Sequence, residues 1–204
     1  MHNTSRVADE PYPTLLREKG FNAFPSLCFL DADGNVLVKQ GERSVKGFAA
    51  TLQRLQRIDE LRKQAASGGA DAQRDLFLAE LELGSLRADE IRARMDKLHL
   101  DDATRARVDR HLVDAELREL AARQRELGEA AFGDAVAAIA KSGRRPTDAM
   151  ATPFWQTTLT WCSTHGEPQL AQTAHDELLK RPLAAAVKRR YDEQLEQARA
   201  AGKK

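Results

Sequence analysis

Two cysteines, Cys28 and Cys162, carry the most distinctive chemistry in this sequence, because a thiolate can attack a disulfide or bind a metal ion. Disulfide exchange needs a second thiol close to the first, usually in a C-x-x-C pair at the start of a helix. The two cysteines lie far apart and form neither this pair nor a zinc-site spacing. We therefore predict that the chain as given does not exchange disulfides, and that both thiols are structural side chains of the core.

Acidic and histidine side chains give no convincing metal motif. Asp31, Asp33 and Glu42 match positions 1, 3 and 12 of a calcium loop, but the glycine falls at position 4 instead of 6. The five histidines form no zinc-binding pair on a helix. Neither a glycine-rich phosphate loop nor a Gly-x-Ser-x-Gly turn is present. We predict no catalytic residue, no metal and no cofactor in this chain.

Three aromatic side chains, Phe154, Trp155 and Trp161, lie in one segment with helical spacing, and they include both tryptophans of the chain. The simpler interpretation is packing between helices. The alternative is an anchor for a protein partner, because tryptophan is enriched at the energetic centre of protein interfaces.

The composition describes a globular chain: 204 residues, 42% hydrophobic and 31% charged, with a net charge of +1. This balance gives no basic field for nucleic acid, and no apolar run approaches the roughly 20 residues of a membrane-spanning helix. The expected partner is therefore a protein or client polypeptide, with neither nucleic acid nor membrane involved. The first residues lack a signal-peptide pattern, and the compartment stays open between cytoplasm and periplasm.

The first third of the chain has a strand–turn–strand–helix pattern. Residues 27–30 and 36–38 are predicted strands, and the Asp33-Gly34 pair between them favours a tight hairpin turn. Ser44 is a suitable N-cap for the helix that follows. Apolar residues then recur at helical spacing: Val45, Phe48, Leu52, Leu55, Ile58 and Leu61.

From residue 67 onward the pattern is helical throughout. We divide the chain into a module over residues 1–66 and an all-helical region over residues 67–204, with Ser67-Gly68-Gly69 as the linker. The pattern predicts that one long helix ends at Gly128 and that later helices start at Thr152-Pro153, Pro168 and Pro182. The fold class is thus mainly α with a small β-hairpin, and the helices form hairpins. A tetratricopeptide array is an alternative, although no 34-residue period recurs.

Residues 20–36 resemble the thioredoxin-like superfamily. Phe24-Pro25-Ser26 is similar to the proline loop of that family, and the hairpin, Gly41 and the long helix follow in the family order. The resemblance covers residues 14–63, about a quarter of the chain, and implies the C-terminal half of the fold. It implies a cis peptide bond before Pro25 and a substrate-binding role for Phe24, Pro25 and Ser26.

The sequence also departs from the family pattern. In the family a C-x-x-C pair precedes this proline, whereas no cysteine precedes Pro25 here. We expect a truncated product of a longer gene, with a misplaced start or a degenerate relative as alternatives. The leading hypothesis is a thioredoxin-like protein without its own dithiol, joined to a helical partner-binding region. If the full gene carries the dithiol, the family role is disulfide exchange. The alternative is a non-catalytic helical scaffold.

Overall fold

A computed structural model describes residue 12, residues 14–21 and residues 25–203. It is 71% helical and contains one two-stranded antiparallel hairpin, so the predicted class, mainly α with a small β-hairpin, is confirmed. The chain falls into two compact units, the first ending at Ser85 and the second beginning at Leu86. The division at residues 66 and 67 stays a prediction. The helix that follows this linker packs within the first unit.

The first unit contains a short hairpin and two longer helices. Its elements are α1 (Leu15–Glu18), β1 (Cys28–Leu30), β2 (Val36–Lys39), α2 (Val45–Ala66) and α3 (Ala70–Leu83). Phe29 pairs with Val38, and the register shifts by a bulge after Phe29. The turn is held by the Asp31 carboxylate, which accepts the main-chain N–H of Asp33 and of Asn35 at 2.9 and 2.8 Å. The Asp31 carboxylate therefore organises the turn.

Helix α2 begins where the sequence predicts. The Ser44 hydroxyl accepts the main-chain N–H of Gly47 at 3.0 Å and satisfies one donor of the first turn. Helices α2 and α3 then pack together through a small apolar set made of Ile58, Leu61, Phe77 and Leu81. Glu80 is buried beside them and pairs with Arg62 at 3.1 Å.

The second unit is entirely helical in its described part. It contains α4 (Ala88–Met95), α5 (Asp102–Ala122), α6 (Gln124–Lys141), α7 (Asp148–His165), α8 (Pro168–Leu179) and α9 (Ala185–Ala201). Consecutive helices contact one another, and α7 also contacts α9. Helix α7 is therefore central to the core, which includes Phe154, Trp155, Leu159, Cys162 and Tyr191.

Three predicted helix boundaries in this unit are wrong. Helix α7 starts at Asp148 with Thr147 as its N-cap, so Pro153 lies inside the helix. The buried Asp114 explains the early start, because its carboxylate accepts the N–H and the hydroxyl of Thr147 at 3.0 and 2.6 Å. The long helix ends at Ala122, and Gly128, with φ of 81°, interrupts α6. Helix α9 starts at Ala185, after Pro182.

Two glycines bring the C-terminal ends of α7 and α9 into main-chain contact. Gly166 ends α7 in the left-handed conformation, with φ of 68°. A Cβ added at Gly166 would lie 2.9 Å from the carbonyl carbon of Ala201. A Cβ added at Gly202 would lie 2.8 Å from the carbonyl oxygen of Gly166. Only glycine at both positions permits this approach.

Candidate functional site

The predicted proline loop is only partly described. Phe24 lies outside the described residues, and so does the peptide bond between Phe24 and Pro25 that the family resemblance implies to be cis. Pro25 is exposed, and its carbonyl oxygen accepts a hydrogen bond from Nη2 of Arg43 at 2.8 Å. Ser26 is half-buried. The substrate-binding role of this loop therefore stays a prediction.

The two thiols lie in different units and in different surroundings. Cys28 is half-buried in β1, whereas Cys162 is fully buried in α7, and both are free cysteines. Burial raises the pKa of the Cys162 thiol to about 12, so the nucleophilic thiolate is scarce at neutral pH. Cys162 is therefore a core side chain of the second unit, as predicted, whereas the prediction that Cys28 is a buried core thiol is wrong, because β1 is covered only in part.

The described residues contain no group of three or more His, Cys, Asp or Glu side chains that converge as metal ligands. Asp31, the first acid of the calcium-like pattern, instead makes the hairpin-turn hydrogen bonds. Hydrogen bonds from Asn35 are the main cause that lowers the pKa of this carboxyl. The carboxylate is thus committed to the turn.

The three candidate partner-binding aromatics have two different environments. Phe154 and Trp155 are each 2% exposed, and their rings meet edge to face at 4.7 Å in the core. In the folded unit they present almost no surface to a partner. Trp161 is only half-buried and lines an open groove on the surface of the unit. The partner-binding role stays a prediction for all three, and Trp161 is the one that presents a substantial part of its surface to a ligand.

The groove lies between helices α6, α7 and α9 and has a volume of about 580 Å³, with carbon atoms forming most of its surface. Its walls combine aromatic rings with amide and hydroxyl groups. The lining residues are Gln124, Glu129, Ala130, Phe132, Gly133, Gln156, Thr157, Thr160, Trp161, Thr164, His165, Arg190, Tyr191 and Gln194.

The indole of Trp161 is held from several sides. Its ring stacks on His165, with centroids 4.2 Å apart and planes 7° from parallel. Its Nε1 donates a hydrogen bond to Oδ1 of Asp134 at 2.7 Å, and the ammonium of Lys141 lies 4.6 Å from the ring centroid. A Cβ on Gly133 would lie only 3.2 Å from Cδ1 of the indole. These contacts give the Trp161 indole a defined orientation at the groove.

Polar groups on α7 and α9 join across the groove. Nε2 of Gln194 donates to the hydroxyl of Thr160 at 3.0 Å, and Nε2 of Gln156 donates to the hydroxyl of Tyr191. An amide and a hydroxyl each have more donors and acceptors than one contact uses. These groups can therefore also bind a polar ligand, such as the main chain of a peptide.

The sequence prediction found Trp161 but missed the other groove residues. On α7, Thr157, Thr160, Trp161 and Thr164 recur at helical spacing and form one polar–aromatic face. That spacing is the feature of the sequence from which this part of the groove could have been predicted. Phe132 on α6 joins it only through tertiary packing.

No family model, curated protein or solved structure matches this chain. Among the described helices, none combines the length and the apolar composition needed to cross a membrane.

Proposed function

We propose that the helical second unit binds a segment of a partner polypeptide in the groove between α6, α7 and α9. The observation that carries this proposal is the oriented indole of Trp161, which lines the groove together with Phe132, Tyr191 and a set of amide and hydroxyl groups. An aromatic wall accepts an apolar side chain, and amides and hydroxyls accept and donate to a peptide main chain. The groove volume of about 580 Å³ lies within the usual range of ligand sites.

For the first unit we infer the C-terminal half of a thioredoxin-like fold, without its dithiol. The order of hairpin, N-cap at Ser44 and long helix supports this inference. Large apolar side chains at the hairpin and at the start of α2 are exposed, as expected for a half-fold: Leu27 at 38%, Leu30 at 46% and Val45 at 88%. Any dithiol would have to be supplied from outside this chain. We expect no insulin reduction by the chain as given, and measurable turnover would contradict the inference.

The alternative function is a non-catalytic scaffold that uses the same helices without any redox role. The groove belongs wholly to the second unit and does not depend on the thioredoxin resemblance. Polypeptide binding is therefore common to both hypotheses, and it is the property to test first.

The test begins with a peptide library displayed on phage and panned against the immobilised full chain. Enriched peptides are synthesised and titrated while tryptophan fluorescence is followed. A Trp155→Phe variant leaves Trp161 as the single tryptophan, so its signal reports on the groove. We expect binding to shift the Trp161 emission.

A matched pair of variants then locates the site. Thr160→Arg places a long charged side chain in the groove, whereas Thr173→Arg makes the same change on α8, outside the groove lining. We expect Thr160→Arg to weaken binding about tenfold or more and Thr173→Arg to leave it unchanged. No enrichment, or equal affinity of the two variants, would overturn the proposal.

A further inference from the structure

The second unit has another concavity, which is rich in arginine and lysine side chains. It has a volume of about 570 Å³ and is lined by residues of α5, the α6–α7 connection, α7, α8 and the two positions that follow α8: Arg110, Arg145, Pro146, Asp148, Ala151, Trp155, Glu177, Lys180 and Arg181. A smaller concavity of about 330 Å³ shares Arg110 and Asp148 with it and adds Arg107 and His111. Together they form a basic cleft with five arginine or lysine side chains and two carboxylates.

Two of the guanidinium groups in the basic cleft are held in place by the fold. Arg145 donates from Nη1 to the carbonyl oxygens of Ala140 and Arg144 at 3.1 and 3.0 Å, and its guanidinium lies 4.6 Å from the Trp155 ring centroid. Arg110 donates from Nε to the carbonyl oxygen of Pro146 at 3.1 Å. A ligand therefore meets positive charge whose position is already fixed, and less side-chain entropy is lost on binding.

The charge pattern of the cleft discriminates between classes of anion. Nη2 of Arg110 pairs with Asp148, whose side chain is 93% exposed, and Lys180 pairs with Glu177 at 2.7 Å. A nucleic-acid strand carries about one charge every 3.4 Å and would have to pass these two carboxylates. An acidic peptide carries its charges at chosen positions on side chains and can avoid them. The mixed pattern therefore favours a polypeptide.

We propose that the basic cleft binds an acidic segment of a partner polypeptide through its aspartate or glutamate side chains. This inference goes beyond the proposed function and rests on it only in taking the partner to be a polypeptide. It uses a different cleft, so the two proposals can fail separately. Because Lys180 is 65% exposed and Arg110 48% exposed, binding weakens as salt screens these charges.

The experiment measures fluorescence anisotropy of a labelled ten-residue peptide with glutamate at alternate positions, titrated with the full chain. A glutamine peptide of the same length and a labelled single-stranded oligonucleotide serve as comparison ligands. Lys180→Glu reverses one charge in the cleft, and Lys188→Glu makes the same change on α9, away from the lining. Circular dichroism confirms that both variants are folded.

We expect the glutamate peptide to bind, the glutamine peptide not to bind, and Lys180→Glu to weaken binding about fivefold while Lys188→Glu changes it little. Binding that is equal in the two variants, or binding of the oligonucleotide as tight as that of the peptide, would overturn the proposal. Absence of any peptide binding would also overturn it. Thr160→Arg, which obstructs the groove, should leave the glutamate peptide bound, and this result separates the cleft from the groove.

Discussion

The two units place their apolar residues differently. The second unit buries a continuous cluster around Trp155, Leu159 and Tyr191. In the described part of the first unit, the buried apolar side chains all belong to α2 and α3, and no residue of either strand is buried. Among the described residues, the large apolar side chains with the greatest exposure all lie in the first unit: Tyr12, Leu27, Leu30, Val45 and Leu52.

Within the described residues, the second unit therefore has a complete helical core, whereas the hairpin of the first unit has no buried face. An isolated two-stranded hairpin is at best marginally stable in water, and its outer edges carry unpaired main-chain groups. Among the residues of the first unit that the structure describes, β1 and β2 pair only with each other. The proposed thioredoxin-like origin accounts for this, because the family sheet continues beyond the hairpin. The second unit needs no such addition.

The sharpest test of the comparison is one substitution made in both units. Leu159 is fully buried and Leu52 is 48% exposed. We expect Leu159→Ala to lower the free energy of unfolding by about 2–5 kcal/mol, because it removes contacts and leaves a cavity. We expect Leu52→Ala to change it by no more than about 0.5 kcal/mol. Urea unfolding followed by circular dichroism measures both values, and similar values would break the comparison.

Hydrogen exchange tests the hairpin directly. The amides of Phe29 and Val38, which pair between the strands, should exchange through local opening, whereas amides in the middle of α7 should exchange only when the second unit unfolds. The difference in opening free energy should reach about 3 kcal/mol. Exchange at neutral pH, resolved by residue with NMR, gives these values. Equal protection in the hairpin and α7 would contradict the marginal stability of the hairpin.

The two thiols give the smallest and most local test. Iodoacetamide should label Cys28 in the folded chain, whereas the buried Cys162 should react only after unfolding. Desolvation raises the Cys162 pKa from its ordinary 9.0 to about 12. As pH rises, the thiol therefore loses its proton in the unfolded chain before it does so in the folded chain. The contribution of Cys162 to the free energy of unfolding is full below pH 9 and declines between pH 9 and 12.

The pH dependence is checked by comparison with Cys162→Ala. Unfolding is measured at several values from pH 8 to 11, and the slope of stability against pH should be smaller in the variant. Equal slopes would show that Cys162 does not contribute to the pH dependence of stability.

The sequence predicted those features whose causes are local. The Asp33-Gly34 turn, the Ser44 cap and the helix start at Pro168 each depend on residues within a few positions of one another. The predicted start of α7 was wrong because the observed start depends on Asp114, which lies on α5 and far from Thr147 in sequence. No local pattern contains that contact.

The candidate groove was harder to predict for the same reason. Trp155 and Trp161 are six positions apart and therefore lie on different faces of α7. The sequence does not show which face the neighbouring helices cover, and the structure buries Trp155 while leaving Trp161 at the groove. Tyr191 and Gln194, which complete the groove, come from another helix. The chemistry of each residue could be predicted, but their meeting depends on tertiary packing.

The close contact between Gly166 and Gly202 has a consequence for the shape of the proposed binding groove. Helices α7 and α9 form two walls of the groove, and Gly166 directly follows His165 in the lining. Because Gly166 and Gly202 have no β-carbon, the two helices can approach closely at this end of the groove. A larger residue at either position must push the helix ends apart. The width of the proposed binding groove can thus be tuned from two positions outside its lining.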